Sequence, residues 1–367
     1  MKKVLFLGGL GCGGAENQMS VIASLLSHTN NVYFMYAGTE EYCASILKNS
    51  QVKRIKLVIP KVFVLLKLSR IYILLKVLFF ARKKTIDTII SFLGIWNFTA
   101  CSVSAITCKR IKAIIGIRNA RQEIYTSFNG RINNILNRYA HAVVSNSNNG
   151  IDTYKKYLQH SGINFVTIYN IIKPMSVTSE YDIRHSGKLS ICIPASYREV
   201  KNPYRLIETV HQLSVQEQSQ LQISWYGRIS SADLDVYNKM TEMLDTYNLH
   251  ECFKVYDASE RIADIMNSSD FVALFSTSEG LPNAICEAMS LGKPVIMSKV
   301  SDYNELVENN ITGFICDPYD ITDIANVLRK CISLDADKII SMGKAAKSKA
   351  AHLFSTSVVV EKWESLL

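Results

Sequence analysis

The sequence predicts an α/β protein of two doubly wound parallel-sheet halves facing each other across a cleft. Three observations carry this reading. Apolar runs of strand length alternate with segments of helical period along the 367 residues. The alternation lapses once, over residues 171–187, and then restarts. The charge changes sign at the same place: residues 1–180 hold 23 Lys and Arg against 7 Asp and Glu (net +16), and residues 181–367 hold 18 against 25 (net −7), which sum to the chain's +9. At roughly 100–200 residues per domain the length fits two domains.

In the first half the apolar runs are 4–8, 32–37, 55–59, 88–92, 113–117, 142–145 and 165–169. Continuous apolar strands bounded by turns suit a parallel sheet covered on both faces. Between the first two, Ala15, Met19, Ile22 and Leu26 recur at i, i+4, i+7 and i+11, the period of a helix with one buried side. Residues 171–187 (IIKPMSVTSEYDIRHSG) read as a linker between a domain of residues 1–170 and one of residues 188–350. The second domain's runs are 189–194, 221–226, 253–256, 271–275, 294–297 and 313–316, and residues 351–367 end on a helical pattern, SVVVEKWESLL.

Composition removes several classes. With 48% apolar and 20% charged residues, seven prolines and no low-complexity tract, the chain is neither disordered nor fibrous. Nine cysteines stand singly, with no C-x-x-C pair, so neither a disulfide framework nor a zinc knuckle is expected and the cytosol is the natural compartment. The seven histidines form no metal-ligand pattern, and G-x-S-x-G is absent. The start, MKKVLFLGGLGCGG, has too short an apolar core for a signal peptide. Residues 62–80 come nearest to a membrane span, but Lys67, Arg70 and Lys76 interrupt them, each costing about 2.5–3.5 kcal/mol at a bilayer centre. The basic first half is expected to face something anionic, a nucleic acid or a membrane surface. It contains no recognisable nucleic-acid module.

Two motifs bear on chemistry. The first is GGLGCGGAEN, residues 8–17, directly after the first strand. Its glycines permit close approach to a phosphate, and the following helix points its N–H groups at an anion. Gly9, Gly11 and Gly14 satisfy G-x-G-x-x-G, but Glu40 and Glu41 come late for the ribose carboxylate of a dinucleotide site. A tight turn with close helix–strand packing explains the same glycines. The second motif is FSTSEGLPNAICEAMSLGKPVIMS, residues 275–298. A buried strand is expected to end at Thr277, a turn carries Glu279 and Gly280, and a helix opens near Pro282 and Asn283 with Glu287 in its first turns. A diphosphate on that helix N-terminus would have a carboxylate to each side, each able to accept hydrogen bonds from adjacent sugar hydroxyls. The plainer alternative is that both glutamates merely complement the helix dipole.

GGAE, EGLPNAICEAMSLGKPVI and the later ITGFICDP together resemble the family-4 retaining nucleotide-sugar glycosyltransferases, also called glycosyl transferases group 1. The resemblance is strongest over residues 271–318 and extends to residues 4–16 and 189–206. It implies the GT-B architecture, two facing Rossmann-like domains, with residues 351–367 crossing back to the first. It implies that Glu287 holds the ribose hydroxyls of the donor and Glu279 the transferred sugar. The diphosphate would rest on the backbone of Gly280 and Leu281 beside Asn283, covered by Gly13 and Gly14. In ASYREVKNPYRL, Lys201 matches the family lysine; the family arginine falls on Ser196, and Arg198 is the candidate substitute. Where many relatives carry a histidine, this chain reads Ile117, Arg118 and Asn119; Arg118 either bonds a sugar or acceptor phosphate or pairs with Glu123.

The resemblance further implies transfer of a hexosyl or N-acetylhexosaminyl group with retention, with no metal and no cofactor beyond the nucleotide sugar itself, UDP favoured over GDP. The acceptor is expected to be a lipid-linked oligosaccharide of bacterial surface-polysaccharide assembly, such as capsule or O-antigen, and the enzyme peripheral on the inner face of the cytoplasmic membrane. The rival readings are an NAD-dependent oxidoreductase built on residues 9–14 and a basic nucleic-acid-binding protein. Residues 61–84 join seven cations to a very apolar helical pattern, with Lys67 and Arg70 on one side and Lys76 nearly opposite. They are expected either to cover the first sheet with snorkelling cations or to rest partly on a membrane.

Overall fold

Each of these apolar runs overlaps a strand, and every strand pairing is parallel. The computed structural model describes the chain except for residues 12, 41, 67, 93, 119–133, 158–161, 173, 174, 176 and 178–186. Glu41, Lys67, Asn119, Glu123 and most of the expected linker therefore lie outside the described residues. The chain divides into two units, Met1–Ile171 with Thr356–Leu367, and Ile172–Ser355.

The first unit runs β1 (Lys3–Leu10), α1 (Gly14–Leu26), β2 (Asn31–Glu40), α2 (Tyr42–Lys48), β3 (Lys53–Lys56), α3 (Lys61–Leu65), α4 (Ser69–Lys84), β4 (Thr88–Phe92), α5 (Gly94–Ile106), β5 (Lys112–Ile117), β6 (Ala142–Ser145), α6 (Asn148–Tyr157) and β7 (Asn164–Thr167). Its sheet order is β3-β2-β1-β4-β5-β6-β7. The reason for continuous apolar strands is visible in β1. Val4 and Phe6 join one core cluster with Ile22 of α1, while Leu5 and Leu7 join another with Val77 of α4 and Val103 of α5. Successive side chains point to opposite faces, and here both faces are covered.

The second unit runs β8 (Leu189–Pro194), α7 (Pro203–His211), α8 (Val215–Ser219), β9 (Leu221–Tyr226), α9 (Leu234–Thr246), β10 (Phe253–Tyr256), α10 (Ile262–Asn267), β11 (Phe271–Leu274), α11 (Asn283–Leu291), β12 (Val295–Ser298), α12 (Tyr303–Leu306), β13 (Gly313–Cys316), α13 (Ile321–Ser333) and α14 (Ala336–Phe354). Its order, β10-β9-β8-β11-β12-β13, repeats the doubly wound pattern. In such sheets ligands sit beyond the carboxyl ends of the strands where the winding reverses. That point lies between β1 and β4 in the first unit and between β8 and β11 in the second.

Several boundaries differ from the sequence reading. The helical end of the chain breaks at Ser355: α14 stays with the second unit, and a separate helix α15 (Thr356–Glu364) belongs to the first. Val359 and Trp363 of α15 are buried in the α1-side core, and the Trp363 ring lies 5.9 Å from that of Phe92. Strand β3 is 53–56 rather than 55–59, because it is an edge strand whose Lys53, Arg54 and Lys56 face solvent and so break the apolar run. Strand β7 ends two residues early, at Thr167, and β11 ends at Leu274 rather than Thr277. The 61–84 pattern is not one helix but two, and of α4 only Ile73, Val77 and Ala81 are buried.

Candidate functional site

At the carboxyl end of β8 the chain turns through Ala195–Arg198 into a single 3-10 turn, Glu199–Lys201. Asn202 closes that turn in the left-handed region (φ 63°), which Asn tolerates better than most residues, and Pro203 then opens α7. The Asn202 side-chain amide donates to the Pro318 carbonyl at 2.7 Å, anchoring the residue after Lys201. At the carboxyl end of β11, the Thr277 N–H donates to the Val200 carbonyl at 2.8 Å and so joins the two turns. This brings Lys201 to Glu279: Nζ lies 2.5 Å from Oε1, with the side chains 20% and 12% exposed. Ser276 Oγ donates to the same Oε1 at 2.7 Å.

The Glu279 turn is held from below. Ser298 Oγ at the end of β12 donates to the Ser276 carbonyl at 2.6 Å, and Ser301 Oγ donates to the Gly280 carbonyl. Leu281 is buried, and α11 starts at Asn283 with Pro282 as its N-cap, one position outside the helix, and no side chain capping it. The helix therefore presents its positive end beside a fixed carboxylate and a fixed ammonium. Glu287, in the second turn, has its carboxyl pushed up from the ordinary range by burial. A group that is costly to ionise in place gains from a ligand that donates hydrogen bonds to it.

Other expected site residues have partners of their own. Arg198 does not join Lys201: its Nε is 3.4 Å from Asp233 Oδ1 and its side chain is 64% exposed. The competing partner explains this, since Asp233 is itself held by Ser230 at 2.9 Å. Arg118, Gly13 and Gly14 belong to the first unit. The Arg118 guanidinium lies 4.0 Å over the Phe92 ring and donates to Asn170 Oδ1 at 3.2 Å. Burial lowers its pKa to about 9, so it stays charged at neutral pH. In the glycine turn, the Glu16 carboxylate fills the space. Its Oε2 accepts from the Gly13 N–H at 3.2 Å, and a Cβ on Gly9 would sit 2.2 Å from Oε1. A carboxylate of the chain thus stands where a dinucleotide fingerprint holds pyrophosphate. Beside it, Gly9, Glu16, Met19, Phe92, Gly94 and Trp96 line a cavity of about 240 Å³ at the first unit's switch point. Among the described residues no group of three His, Cys, Asp or Glu could hold a metal.

Ser276, Ser298, Ser301 and Asp233 were not singled out from the sequence. Only Ser276, three residues before Glu279, carried any local signal. Residues 182–349 match the family model for glycosyl transferases group 1. The second unit belongs to that family. This group 1 unit contains Lys201, Glu279 and Glu287 together. The chain is 33% identical over 131 residues to UDP-Gal:alpha-D-GlcNAc-diphosphoundecaprenol alpha-1,3-galactosyltransferase of Escherichia coli, covering 35% of this chain and 32% of that protein. It is 21% identical over 210 residues to N-acetyl-alpha-D-glucosaminyl L-malate synthase of Bacillus anthracis, covering 54% and 52%. The chain thus spans about half or less of the curated relatives it matches. Likeness over the whole length comes from structure: Anabaena HepE in complex with UDP aligns with a TM-score of 0.82 at 21% identity, covering 100% of this chain and 99% of that one. The group 1 unit and its partner unit have the GT-B fold.

Proposed function

We propose that the protein is a retaining glycosyltransferase that moves a hexosyl or N-acetylhexosaminyl group from a nucleotide sugar, UDP-linked in preference to GDP-linked, to a hydroxyl of a lipid-linked oligosaccharide in bacterial surface-polysaccharide assembly. It works at the inner face of the cytoplasmic membrane. The observation that carries this reading is the Lys201–Glu279 pair at the switch point of the group 1 unit, beside the start of α11. The Escherichia coli relative is named for UDP-Gal and a diphosphoundecaprenol acceptor, and HepE holds UDP, which supports the donor and acceptor classes.

In this reading the α11 N-terminus, with Gly280, Leu281 and Asn283, receives the diphosphate, and Lys201 balances the charge that grows on it as it leaves. Fixed cationic charge takes the place of a metal ion. Glu279 is already held through Oε1 and accepts from a hydroxyl of the transferred sugar through Oε2, while Glu287 accepts from the ribose hydroxyls. The sugar C1–phosphate oxygen bond breaks, the acceptor oxygen bonds C1 on the same face, and the acceptor proton passes to the departing phosphate oxygen. Exclusion of water protects the step, because water is the competing acceptor.

Thermal-shift titration with UDP-sugars, GDP-sugars and NADH tests the reading. Stabilisation by a UDP-sugar, followed by its slow hydrolysis, is the expected result. Stabilisation by NADH alone would establish the oxidoreductase, against which the Glu16 carboxylate in the glycine turn already counts.

A further inference from the structure

Helix α4 is apolar on two sides. Ile73, Val77 and Ala81, four residues apart, pack into the sheet core, while Ile71, Leu75 and Phe79, also four apart, face outward. Short α3 buries nothing; Val62, Val64 and Leu65 are exposed, as are Val58, Leu66 and Leu68 around it. Leu65 is 80% and Phe79 67% exposed. Soluble monomers seldom leave so many large apolar side chains contiguous and uncovered. The Phe63 and Tyr72 rings, 4.7 Å apart, tie α3 to α4, so the surface is already formed in the free chain.

The charge around this surface is of one sign. Residues 42–86 contain eleven Lys and Arg and no Asp or Glu. Lys61, Arg70, Lys76, Arg82, Lys83 and Lys84 are exposed on the two helices, and Lys53, Arg54 and Lys56 on the neighbouring edge strand. A second copy of the chain meeting the same face would set these cations against themselves. An anionic surface would not. At 16 residues α4 is about 24 Å long, short of a hydrocarbon core of roughly 30 Å, and no described helix is long and apolar enough to cross a membrane.

We infer that the outer face of α3 and α4 docks on an anionic bilayer, its apolar side chains entering the headgroup boundary while the surrounding cations meet lipid phosphates. A helix of this kind lies in the interface plane rather than across it. The inference deepens the proposed reading by supplying the bilayer that holds a lipid-linked acceptor. Helix α3 follows the carboxyl end of β3, two strands and roughly 10 Å from β1. It therefore follows the same carboxyl-end edge of the first sheet at which the Glu16–Trp96 cavity lies.

The test is co-sedimentation of the full chain with phosphatidylcholine vesicles, with and without phosphatidylglycerol, across a salt series. Wild type is expected to sediment with the anionic vesicles and to release as salt rises. The double variant Leu65→Asp/Phe79→Asp should bind at least about tenfold more weakly with an unchanged melting temperature. Val215→Asp, at an 82% exposed apolar position in the second unit, should bind as wild type does. Wild type left in the supernatant at low salt, or a double variant that binds as tightly as wild type, would overturn the proposal. So would a wild-type dimer that the double variant dissolves while vesicles capture neither. UDP-sugar hydrolysis is measured alongside without vesicles: its absence counts against the transferase reading, and loss of sedimentation alone counts against the docking surface.

Discussion

Glu279 and Lys201 are 78 residues apart in the chain and 2.5 Å apart in space. They meet because β8 and β11 are neighbours in the sheet and the turns beyond both strands are hydrogen-bonded to each other. A mostly buried pair of opposite charges is weak evidence for stability, since desolvation opposes the Coulomb gain. Its value here is to hold an ammonium and a carboxylate in place at the start of α11 before any ligand arrives.

Lys201→Ala should lower turnover about a hundredfold, the upper end of what loss of charged hydrogen bonds costs. It should also lower the melting temperature, because the Glu279 carboxylate is left without its cation. In a double-mutant cycle, Lys201→Ala/Glu279→Ala should lose less stability than the two single variants summed. EDTA should leave wild-type activity unchanged; loss on chelation, restored by magnesium or manganese, would show that a metal shares the role given to Lys201.

Arg198→Ala should behave differently from its neighbour. Arg198 is the sequence candidate for a second cation on the leaving group, but its exposed pairing with Asp233 places it outside the Lys201–Glu279 cluster. Stability should change by less than about 1 kcal/mol, as for exposed ion pairs generally. Steady-state kinetics should stay close to those of wild type. A loss as large as that of Lys201→Ala would mean that the side chain swings inward when donor binds.

Glu287→Gln should stabilise the free protein and weaken the nucleotide-sugar complex, the latter about ten- to a hundredfold. Burial raises the folded-state pKa of Glu287. Its contribution is therefore most favourable below pH 4.5 and is lost as pH rises through the folded value. Melting temperatures of wild type and variant should diverge across that acid window, with the variant higher at neutral pH. Isothermal titration with a UDP-sugar reads the opposing loss.

Lys293 supplies an alkaline counterpart away from the site. It is buried at the amino end of β12, and desolvation lowers its pKa from 10.5 to about 8, against a smaller opposing pull from Asp270. The unfolded chain's Lys293 binds the extra proton between these values, so this residue's own contribution to stability should rise with pH across 8 to 10.5, by about 3 kcal/mol in full. Denaturant unfolding of wild type and Lys293→Met, compared at each pH, should show wild type gaining stability relative to the variant across that window.

Much of the fold was legible because a parallel sheet covered on both faces demands unbroken apolar strands. Residues 88–92, 142–145, 189–194, 221–226, 253–256 and 313–316 are strands with the bounds their apolar runs set. Glu279, Gly280 and the start of α11 were legible for a related reason: a turn between a buried strand and a helix is a local pattern. Local pattern failed where neighbours decide. The edge position of β3 lets its cations face water, and the switch from α14 to α15 at Ser355 depends on a pocket for Val359 and Trp363 in a sheet made by the other end of the chain. Arg198 went to Asp233 rather than to the cluster for the same reason, since which carboxylate lies nearest is a property of the assembled unit. Apolar periodicity and composition alone specify two doubly wound units and the opposite charge of the two halves. That Lys201 meets Glu279 and that one apolar side of α4 is left uncovered emerges from packing, because hydrophobic periodicity records that a face is apolar and not what, if anything, packs against it.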